Sequence, residues 1–353
     1  MISSLFLILF VMPSLGYVCL NTRFLKSASV LNKVTSLPMA AITSLIKKGK
    51  MKEVEELLRQ IEAEGDDHFL AKFLKTLAVD ENFVGKPYNF FNSTTTNYDS
   101  LTVMPEYNKK SKNGFLLGMP EPEIVGGILR DAGARAIAVE MDIRSGGVPK
   151  TDFIRFVKEQ YRARKMVPGP IPILWSDYIV DKLQIAYAAS LGAAAVTLNP
   201  EYLSKNLDEM VNYCITLNIE PVVLVKTLEE AEIALQTKTR SLCLHSLDES
   251  ELISLRSKLP DNARRNYQYI AKLRPSQDFS TYAEIDSCWL LRDSGFNCAW
   301  PTTEAVFAEG LMDVYSAVMA MKSKASRQFL SPRQFMMDRK KEGAKEYLGD
   351  ILY

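Results

Sequence analysis

The feature of this sequence that most restricts its fold is a repeated junction between helix and strand. In the stretches AGARAIAV (132–139), LGAAAVTL (191–198) and SGFNCAW (294–300), a helical segment ends at a glycine and an apolar strand follows at once. Glycine readily takes the left-handed conformation that ends a helix. Because consecutive strands that are joined through a helix run parallel, the repeat predicts a parallel sheet with crossover helices.

Short apolar runs of strand length alternate with helical segments along most of the chain. The predicted strands lie at 101–104, 136–141, 171–175, 193–198, 221–225, 241–245, 267–273 and 297–300. Strand–helix units of this number and size predict an α/β fold, a (β/α)8 TIM barrel, over residues 101–322. The alternative is an open doubly wound sheet, which is disfavoured because no Gly-rich phosphate turn follows the first strand.

Residues 41–100, ahead of the barrel, are predicted to form a helical hairpin and a linker. Apolar residues at helical spacing end at Gly65, a natural C-cap, and Asp66 and Asp67 are placed to cap a second helix. Residues 86–100 are polar and rich in turn-forming types, which is typical of a loop. The hairpin is therefore expected to be an appendage of the barrel.

The first 40 residues have the character of a targeting presequence. An apolar run, LFLILFVM at 5–12, precedes a stretch rich in Ser, Thr and basic residues, and no acidic residue appears before Glu53. The run is too short to span a bilayer but has the length of a signal-peptide core, and the stretch after it resembles a transit peptide. Together they predict a bipartite presequence for a secondary plastid and a mature chain without a membrane span. Plain secretion is the alternative, and glycosylation of the sequon at Asn92 would distinguish it.

Composition and charge restrict the partners of the chain. A net charge of +1 with 24% charged residues gives no global field that would attract nucleic acid or a membrane, so partners have to be argued from local features. The five cysteines lack CxxC spacing and are predicted to be buried or reduced thiols, with a disulfide or metal site as the alternative. The two histidines, His68 and His245, leave little room for a metal site, and no cofactor is predicted. The charged extension at 323–353 is expected either to pack on its own domain or to dock a partner.

Four stretches resemble the indole-3-glycerol phosphate synthase family. PILWSDYIVDKLQIAYAASLGAAAVTL (172–198) resembles the segment from its third to its fourth strand, and EPVVLVKTLEEAEIAL (220–235) resembles its fifth unit. Upstream, EYNKKSKNG (106–114) resembles the segment after its first strand, and MDIRSGG (141–147) resembles its second-strand loop. The resemblance covers roughly residues 100–322. It implies a TIM barrel of tryptophan-biosynthesis descent.

The same resemblance implies that the catalytic positions have changed. In the family, the loop after strand one supplies a Glu, a catalytic Lys and a Ser that touches substrate. Here Glu106 and Ser111 are kept, but the Lys position holds Asn108. The general-acid Lys at the end of strand three corresponds to Ser176, and the proton-transferring Glu of strand five corresponds to Leu224. The lost family positions are therefore Asn108, Ser176 and Leu224.

Substrate-binding positions are altered as well. The strand-six Asn of the family corresponds to His245, and its strand-seven Glu-Ser-Gly falls at residues 272–274. Its Gly-Ser phosphate cradle after strand eight falls at Thr302 and Thr303. A glycine cradle offers close backbone N–H groups that threonine side chains do not reproduce. Arg274 or, alternatively, Arg144 is expected to hold an anion in its place.

These changes lead to a hypothesis about function. The family's ring closure and decarboxylation need a proton donor and a base, and Asn, Ser and Leu cannot fill those roles near neutral pH. The sequence therefore predicts a non-catalytic barrel that serves as a structural or regulatory subunit of a larger plastid assembly, with a phosphorylated small molecule as its candidate ligand.

Two alternatives remain open. One is an active carboxy-lyase of the synthase type, or a related phosphosugar lyase, in which Glu106 is catalytic and Lys226 or Lys272 replaces the missing ammonium. The other treats Glu106 and Ser111 as ordinary rim or capping residues. An assay of turnover separates the first alternative from the non-catalytic hypothesis.

Overall fold

The computed structural model describes residues 39–79, 89–95, 101–111, 114–115, 121–203, 206–245, 247–260, 266–274, 281–307 and 311–322. The strands are β1 (Thr102–Val103), β2 (Glu106–Tyr107), β3 (Lys110–Ser111), β4 (Gly114–Phe115), β5 (Ile137–Glu140), β6 (Ile173–Ser176), β7 (Ala195–Leu198), β8 (Glu220–Val225), β9 (Ser241–Leu244), β10 (Gln268–Lys272) and β11 (Cys298–Trp300). The helices are α1 (Met39–Glu64), α2 (Phe69–Val79), α3 (Phe90–Thr94), α4 (Pro122–Asp131), α5 (Lys150–Arg162), α6 (Lys182–Ser190), α7 (Pro200–Leu203), α8 (Leu207–Thr216), α9 (Leu228–Leu235), α10 (Glu249–Lys258), α11 (Thr281–Asp293), α12 (Thr303–Phe307) and α13 (Leu311–Lys322).

A broken first strand closes the barrel. The main sheet has nine strand segments in the order β1-β11-β10-β9-β8-β7-β6-β5-β2, all parallel. β1 and β2 are the two halves of one strand interrupted at Pro105, and one half pairs with β11 while the other pairs with β5. The carbonyl of Pro105 still accepts a hydrogen bond from the Ala138 N–H at 3.0 Å. The TIM barrel predicted from the sequence is confirmed, and its first strand continues beyond the predicted range.

Small and medium-sized side chains, together with the rings of Phe90 and Trp300, fill the interior of the barrel. Every second residue of a strand points inward, and the alternate residues face the surrounding helices. The inward residues, together with Ala194 just before β7, form one buried cluster with Phe90 of α3: Met104, Ala136, Ala138, Leu174, Ala195, Val222, Cys243, Ile270, Cys298 and Trp300. Because this interior is packed, a ligand can be bound only at an open end of the barrel.

The glycine junctions behave as the sequence predicts. Gly133, Gly192 and Gly295 have φ angles of +80°, +92° and +82°. A side chain at Gly192 would also collide, since an added Cβ would lie 2.8 Å from the Val157 side chain. Each glycine lets its helix end and the next strand begin without a longer loop.

The N-terminal hairpin consists of α1, a 3₁₀ turn and α2. α1 ends ahead of Gly65, whose φ of +55° is left-handed. The predicted capping of α2 by Asp66 and Asp67 is wrong, because both residues belong to the 3₁₀ turn. Buried His68 takes that role instead, and its Nδ1 accepts a hydrogen bond from the Leu70 N–H at 3.2 Å.

Helix α3 closes the end of the barrel opposite the strand C-termini. It lies inside the stretch 86–100, which the sequence predicts to be a loop. Asn89 caps it by accepting a hydrogen bond from the Asn92 N–H at 3.1 Å. Phe90 is buried in the interior cluster, and the Thr94 hydroxyl accepts a hydrogen bond from Gln268 of β10. The helix therefore acts as a plug for the barrel.

The presequence predicted for 1–40 and the extension predicted for 323–353 lie outside the described residues, except that α1 begins at Met39. Within the described ranges, no helix combines the length and the apolar character needed to cross a bilayer. As predicted, the cysteines of the described part are buried free thiols: Cys214, Cys243, Cys288 and Cys298. Cys19 lies outside it.

Candidate functional site

The C-terminal end of the barrel strands, called the mouth below, carries a ring of inward-facing side chains. Residues two apart on a strand point to the same face. The ring consists of the residues two positions beyond members of the interior cluster: Glu106, Glu140, Ser176, Thr197, Leu224, His245 and Lys272. In a TIM barrel this end carries the ligand site.

A carboxylate and an ammonium take the centre of the ring. The Ser176 hydroxyl donates a hydrogen bond to Glu140 Oε2 at 3.0 Å. Lys272 Nζ lies 4.0 Å from the same Glu140 oxygen and 3.8 Å from Glu106 Oε2. It also lies 4.0 Å from the centre of the Trp300 ring below it, a cation–π contact. One lysine therefore bridges two acids above an aromatic floor.

Burial decides the protonation of these groups. Desolvation raises the pKa of Glu140 to about 8, against the opposing effect of Lys272. For Lys272, burial favours the neutral amine, but Glu106 and Glu140 outweigh it and raise its pKa above the usual value. Near neutral pH the ring thus holds a largely protonated Glu140 and a charged Lys272.

Helix α1 inserts a lysine at the rim of the mouth. Lys50 lies in the stripe of α1 that faces the barrel, between the buried or half-buried residues Ile46 and Val54. Its side chain is 3% exposed, and Nζ lies 2.6 Å from Asp177 Oδ1 and 3.0 Å from Asp142 Oδ1. These aspartates follow β6 and β5, so the lysine ties the N-terminal helix to two barrel strands.

The same ion-pair network extends on both sides. Arg144 Nε lies 3.1 Å from Asp142 Oδ1, next to Lys50. Burial lowers the pKa of Lys50, but Asp177 and Asp142 outweigh this effect and raise it overall. Farther along α1, the Lys47 ammonium donates to the carbonyl of Tyr202 at 3.2 Å. The helix is therefore held at the rim of the mouth by charged and polar contacts with the segments that follow β5, β6 and β7.

An internal carboxylate occupies the loop after the last strand. The Thr302 N–H donates a hydrogen bond to Glu284 Oε2 at 3.0 Å, and the Thr302 hydroxyl donates to the other oxygen of the same carboxylate. Burial raises the pKa of Glu284 to about 7. The Thr303 hydroxyl donates to the Glu106 carbonyl at 3.1 Å. The two threonines predicted to replace a phosphate cradle are thus bound to groups of the chain itself.

The remaining predicted binding residues lie on the rim of the mouth. His245 is half-buried, and burial, followed by Lys226, Lys272 and Arg274, holds its pKa well below the usual value, so it is neutral near pH 7. Lys226 Nζ lies 2.9 Å from Glu201, and the Arg274 guanidinium lies 2.9 Å from Asp248 Oδ1. Both rim cations are therefore paired with acids.

The three other positions named from the sequence differ in their surroundings. Asn108 is half-buried directly after β2. Leu224 is partly buried and packs against the interior cluster. The backbone of Ser111 belongs to β3, which pairs with β4 in a short hairpin, and its side chain lies outside the described residues.

Sequence reasoning missed the groups that organise the site. Glu140 follows inward-facing Ala136 and Ala138 at strand spacing, so the period of two could have placed it in the ring. Lys50 interrupts an apolar stripe at helical spacing, which marks a buried charge. Glu284 carries no comparable signal, because its partner Thr302 is distant in sequence. Within the described ranges no group of His, Cys, Asp or Glu has the arrangement of a metal site.

Comparison with known proteins places this geometry in context. The sequence model described as indole-3-glycerol phosphate synthase matches residues 54–246. That range runs from α1 to just beyond β9 and leaves out the last two barrel strands. The family positions that the resemblance assigns to residues 272–274 and to Thr302 and Thr303 therefore lie beyond the matched range.

Curated relatives give the same family name. An indole-3-glycerol phosphate synthase of Carboxydothermus hydrogenoformans is 30% identical over 193 residues, covering 54% of this chain and 64% of the relative. One of Staphylococcus saprophyticus is 28% identical over 120 residues, covering 32% and 46%. The chain thus spans less than two thirds of each relative. Among solved structures, a 3-hexulose-6-phosphate synthase aligns with a TM-score of 0.46 at 11% identity, covering 63% of this chain and 100% of that one.

Proposed function

This chain belongs to the indole-3-glycerol phosphate synthase family, and from that premise we propose that it is a non-catalytic member that serves as a structural or regulatory subunit in a plastid. The observation that carries the proposal is the contact between Ser176 and Glu140 at 3.0 Å. At the position where the family resemblance calls for an acid ammonium, a serine hydroxyl donates to a buried carboxyl group.

Proton transfer is the step that the mouth no longer supports. The family's reaction needs an acid that protonates a leaving oxygen, and a hydroxyl cannot do this near neutral pH. Each lost acid or base typically costs about 10²- to 10⁴-fold in rate. Lys272 is held between two carboxyl groups, and Lys50 is held by Asp177 and Asp142. Neither ammonium is available to replace the lost acid without breaking an ion pair.

Phosphate binding is opposed as well. A phosphate needs backbone or side-chain donors that are free to receive it. The Thr302 N–H and hydroxyl already donate to Glu284. A substrate phosphate at this loop would have to displace an internal carboxylate and would meet its negative charge.

A second function, an enzyme with a rearranged site, is favoured by one observation. Glu140 has its pKa raised to about 8 by burial and lies 4.0 Å from Lys272. An acid with a pKa near the working pH is suited to general acid catalysis. In this alternative Glu140 supplies the proton and Glu106 is the base, and the substrate is a phosphosugar or a relative of one.

A turnover assay separates the two functions. The chain from residue 39 onward is supplied with 1-(2-carboxyphenylamino)-1-deoxyribulose 5-phosphate while indole fluorescence is followed, with circular dichroism as the check on folding. We expect no product above background. Turnover that disappears in the Glu140→Gln variant would instead establish the rearranged enzyme and overturn the non-catalytic proposal.

A reversion variant tests the reason for the loss. We expect Asn108→Lys, Ser176→Lys and Leu224→Glu combined to raise turnover by at least about 10²-fold over any background in the parent chain, because the acid and the base return together. The matched control carries Asn108→Lys alone and should stay inactive. A folded triple variant that binds the substrate and yields no product would show that these positions do not explain the loss.

The subunit and plastid parts of the proposal need their own measurements. A fluorescent protein carrying residues 1–40 should enter the plastid, and its appearance in the secretory pathway alone would favour secretion. The mature chain should migrate with a larger assembly in a native extract, and deletion of residues 323–353 should release it. Migration of the intact mature chain as a monomer would count against a subunit role.

A further inference from the structure

The end of the barrel opposite the mouth carries most of its exposed charge as basic residues. All loops that lead from a helix into the next strand lie at this end, because the strands are parallel. Arg135 is exposed in the loop before β5, and Lys238 and Arg240 are exposed in the loop before β9, where Arg240 also pairs with Glu220 at 2.8 Å. Among the described residues of these loops and of the helix turns that lead into them, the exposed acids are Asp131, Glu232 and Asp293; Asp131 and Asp293 lie beside Arg130 and Arg292. A chain with a net charge of +1 thus has a local basic face.

The loop between α5 and β6 is the most basic part of this face and has an apolar tip. Arg162, Arg164 and Lys165 are exposed at its start. Val167 follows with 98% of its surface exposed, and Met166 with 52%. Together these residues form a basic loop, Arg162–Val167, whose aliphatic side chains project from the protein.

We propose that the basic loop docks the barrel on an anionic membrane surface, with Met166 and Val167 inserted at the headgroup level. Anionic lipids attract clustered Lys and Arg side chains, and each charge near the surface strengthens binding by about five-fold. Aliphatic side chains that leave water for the interface add to this attraction. The mode of binding is peripheral and does not depend on whether the mouth is catalytic.

The fold itself explains only part of this arrangement. Arg162 lies in the last turn of α5, where a cation complements the helix dipole. Arg164 covers the ring of Tyr161 at 4.2 Å. Val167, by contrast, is almost completely exposed and contributes no burial, so a polar residue would serve the loop equally well. A short aliphatic tip directly after a run of basic residues matches a lipid interface better than a protein partner, which needs a broader apolar surface.

The test uses a probe in the basic loop itself, because the full chain also carries the apolar run at 5–12 and binding of the whole chain would not identify the loop. Val167→Cys provides a thiol for an environment-sensitive fluorophore at position 167. Cys19→Ser removes one competing thiol, and Cys214, Cys243, Cys288 and Cys298 are buried. The probe is titrated with phosphatidylcholine vesicles that contain about one third phosphatidylglycerol, or none. A second protein carries Arg162→Gln, Arg164→Gln and Lys165→Gln in addition. A matched control carries Lys48→Gln and Lys52→Gln, exposed positions on α1.

The expected result is a blue shift at position 167 with the anionic vesicles, and a loss of affinity of about 100-fold in the triple Gln variant. The α1 control should keep the affinity of the parent. No shift with either vesicle would overturn the proposal. An equal shift with soluble polyglutamate would overturn it in favour of an acidic protein partner, and an equal shift with neutral vesicles would remove the role of the charges.

Discussion

Lys50 is the residue whose removal most sharply tests how α1 is held on the barrel. The Lys50→Met substitution keeps the length and the helix propensity of the side chain but removes its charge. Asp177 and Asp142 would then lose an ammonium that lies 2.6 Å and 3.0 Å from their carboxylates. Asp142 keeps Arg144 at 3.1 Å, so Asp177 is the group left without its cation.

The magnitude follows from the burial of the pair. Lys50 is 3% exposed at the side chain, Asp142 3% and Asp177 10%. Removal of one partner from a buried ion pair costs about 3–5 kcal/mol, because the other charge remains without compensation. The same substitution at an exposed lysine of the same helix, Lys52→Met, should change the free energy of unfolding by less than about 0.5 kcal/mol.

Urea unfolding followed by circular dichroism measures both variants. If the remaining charge of Asp177 is the cause, the double variant Lys50→Met with Asp177→Asn should recover about 2 kcal/mol of the loss. Hydrogen exchange of residues 39–64 should rise in Lys50→Met before that of the strands. A loss in Lys50→Met as small as the loss in Lys52→Met would refute the reasoning, since the network would then contribute no more than a surface pair.

Three further perturbations test separate parts of the structure. Gly147→Ala should lower the thermal midpoint and reduce the free energy of unfolding by about 1–3 kcal/mol or more, since an added Cβ would lie 2.6 Å from the backbone carbonyl carbon of Met141. Phe90→Ala should reduce the free energy of unfolding by about 3–5 kcal/mol in urea, because it leaves a cavity where the ring of α3 fills the end of the barrel. An unchanged free energy would exclude a role for α3 as the plug. Burial raises the pKa of Glu284 to about 7, above its unfolded value, so its stabilising contribution is present at low pH and is lost as the pH rises through 7. The free energy of unfolding of Glu284→Gln, measured relative to that of the parent, should therefore rise by roughly 2–3 kcal/mol between pH 5 and pH 8. A difference that does not change with pH would show that the carboxyl group does not titrate in this range.

The barrel was predictable because its strands are buried on both faces. Such strands give continuous apolar runs, and the glycines that close the intervening helices mark where each strand begins. The second half of strand one was missed because Pro105 interrupts the run and only Glu106 and Tyr107 follow it. Helix α3 was missed because its residues lie in a stretch of turn-forming types, and it is stabilised by contacts with the distant barrel strands, such as the packing of Phe90 and the hydrogen bond from Gln268 to Thr94.

The site was only partly predictable, for a physical reason. A resemblance assigns single positions such as Ser176, but it does not show which group has moved next to them. The hydrogen bond from Ser176 to Glu140 depends on the register of two adjacent strands, in which these residues are directly paired. The bond from Thr302 to Glu284 joins a loop to a helix that precedes its strand, and no sequence period connects them.

The charged side chains of the ring at the mouth offset one another. The resemblance places an ammonium on strand three and a carboxylate on strand seven, and this chain has Ser176 and Lys272 there. A ring with Glu106 and Glu140 alone would bury two like charges, which is costly unless one is protonated or a cation lies between them. Both conditions are met here, because Lys272 lies 3.8 Å from Glu106 and 4.0 Å from Glu140, and burial raises the pKa of Glu140 to about 8. The two carboxyl groups, the ammonium and the Ser176 hydroxyl thus satisfy one another without a ligand, and this mutual pairing is what supports the proposed scaffold role.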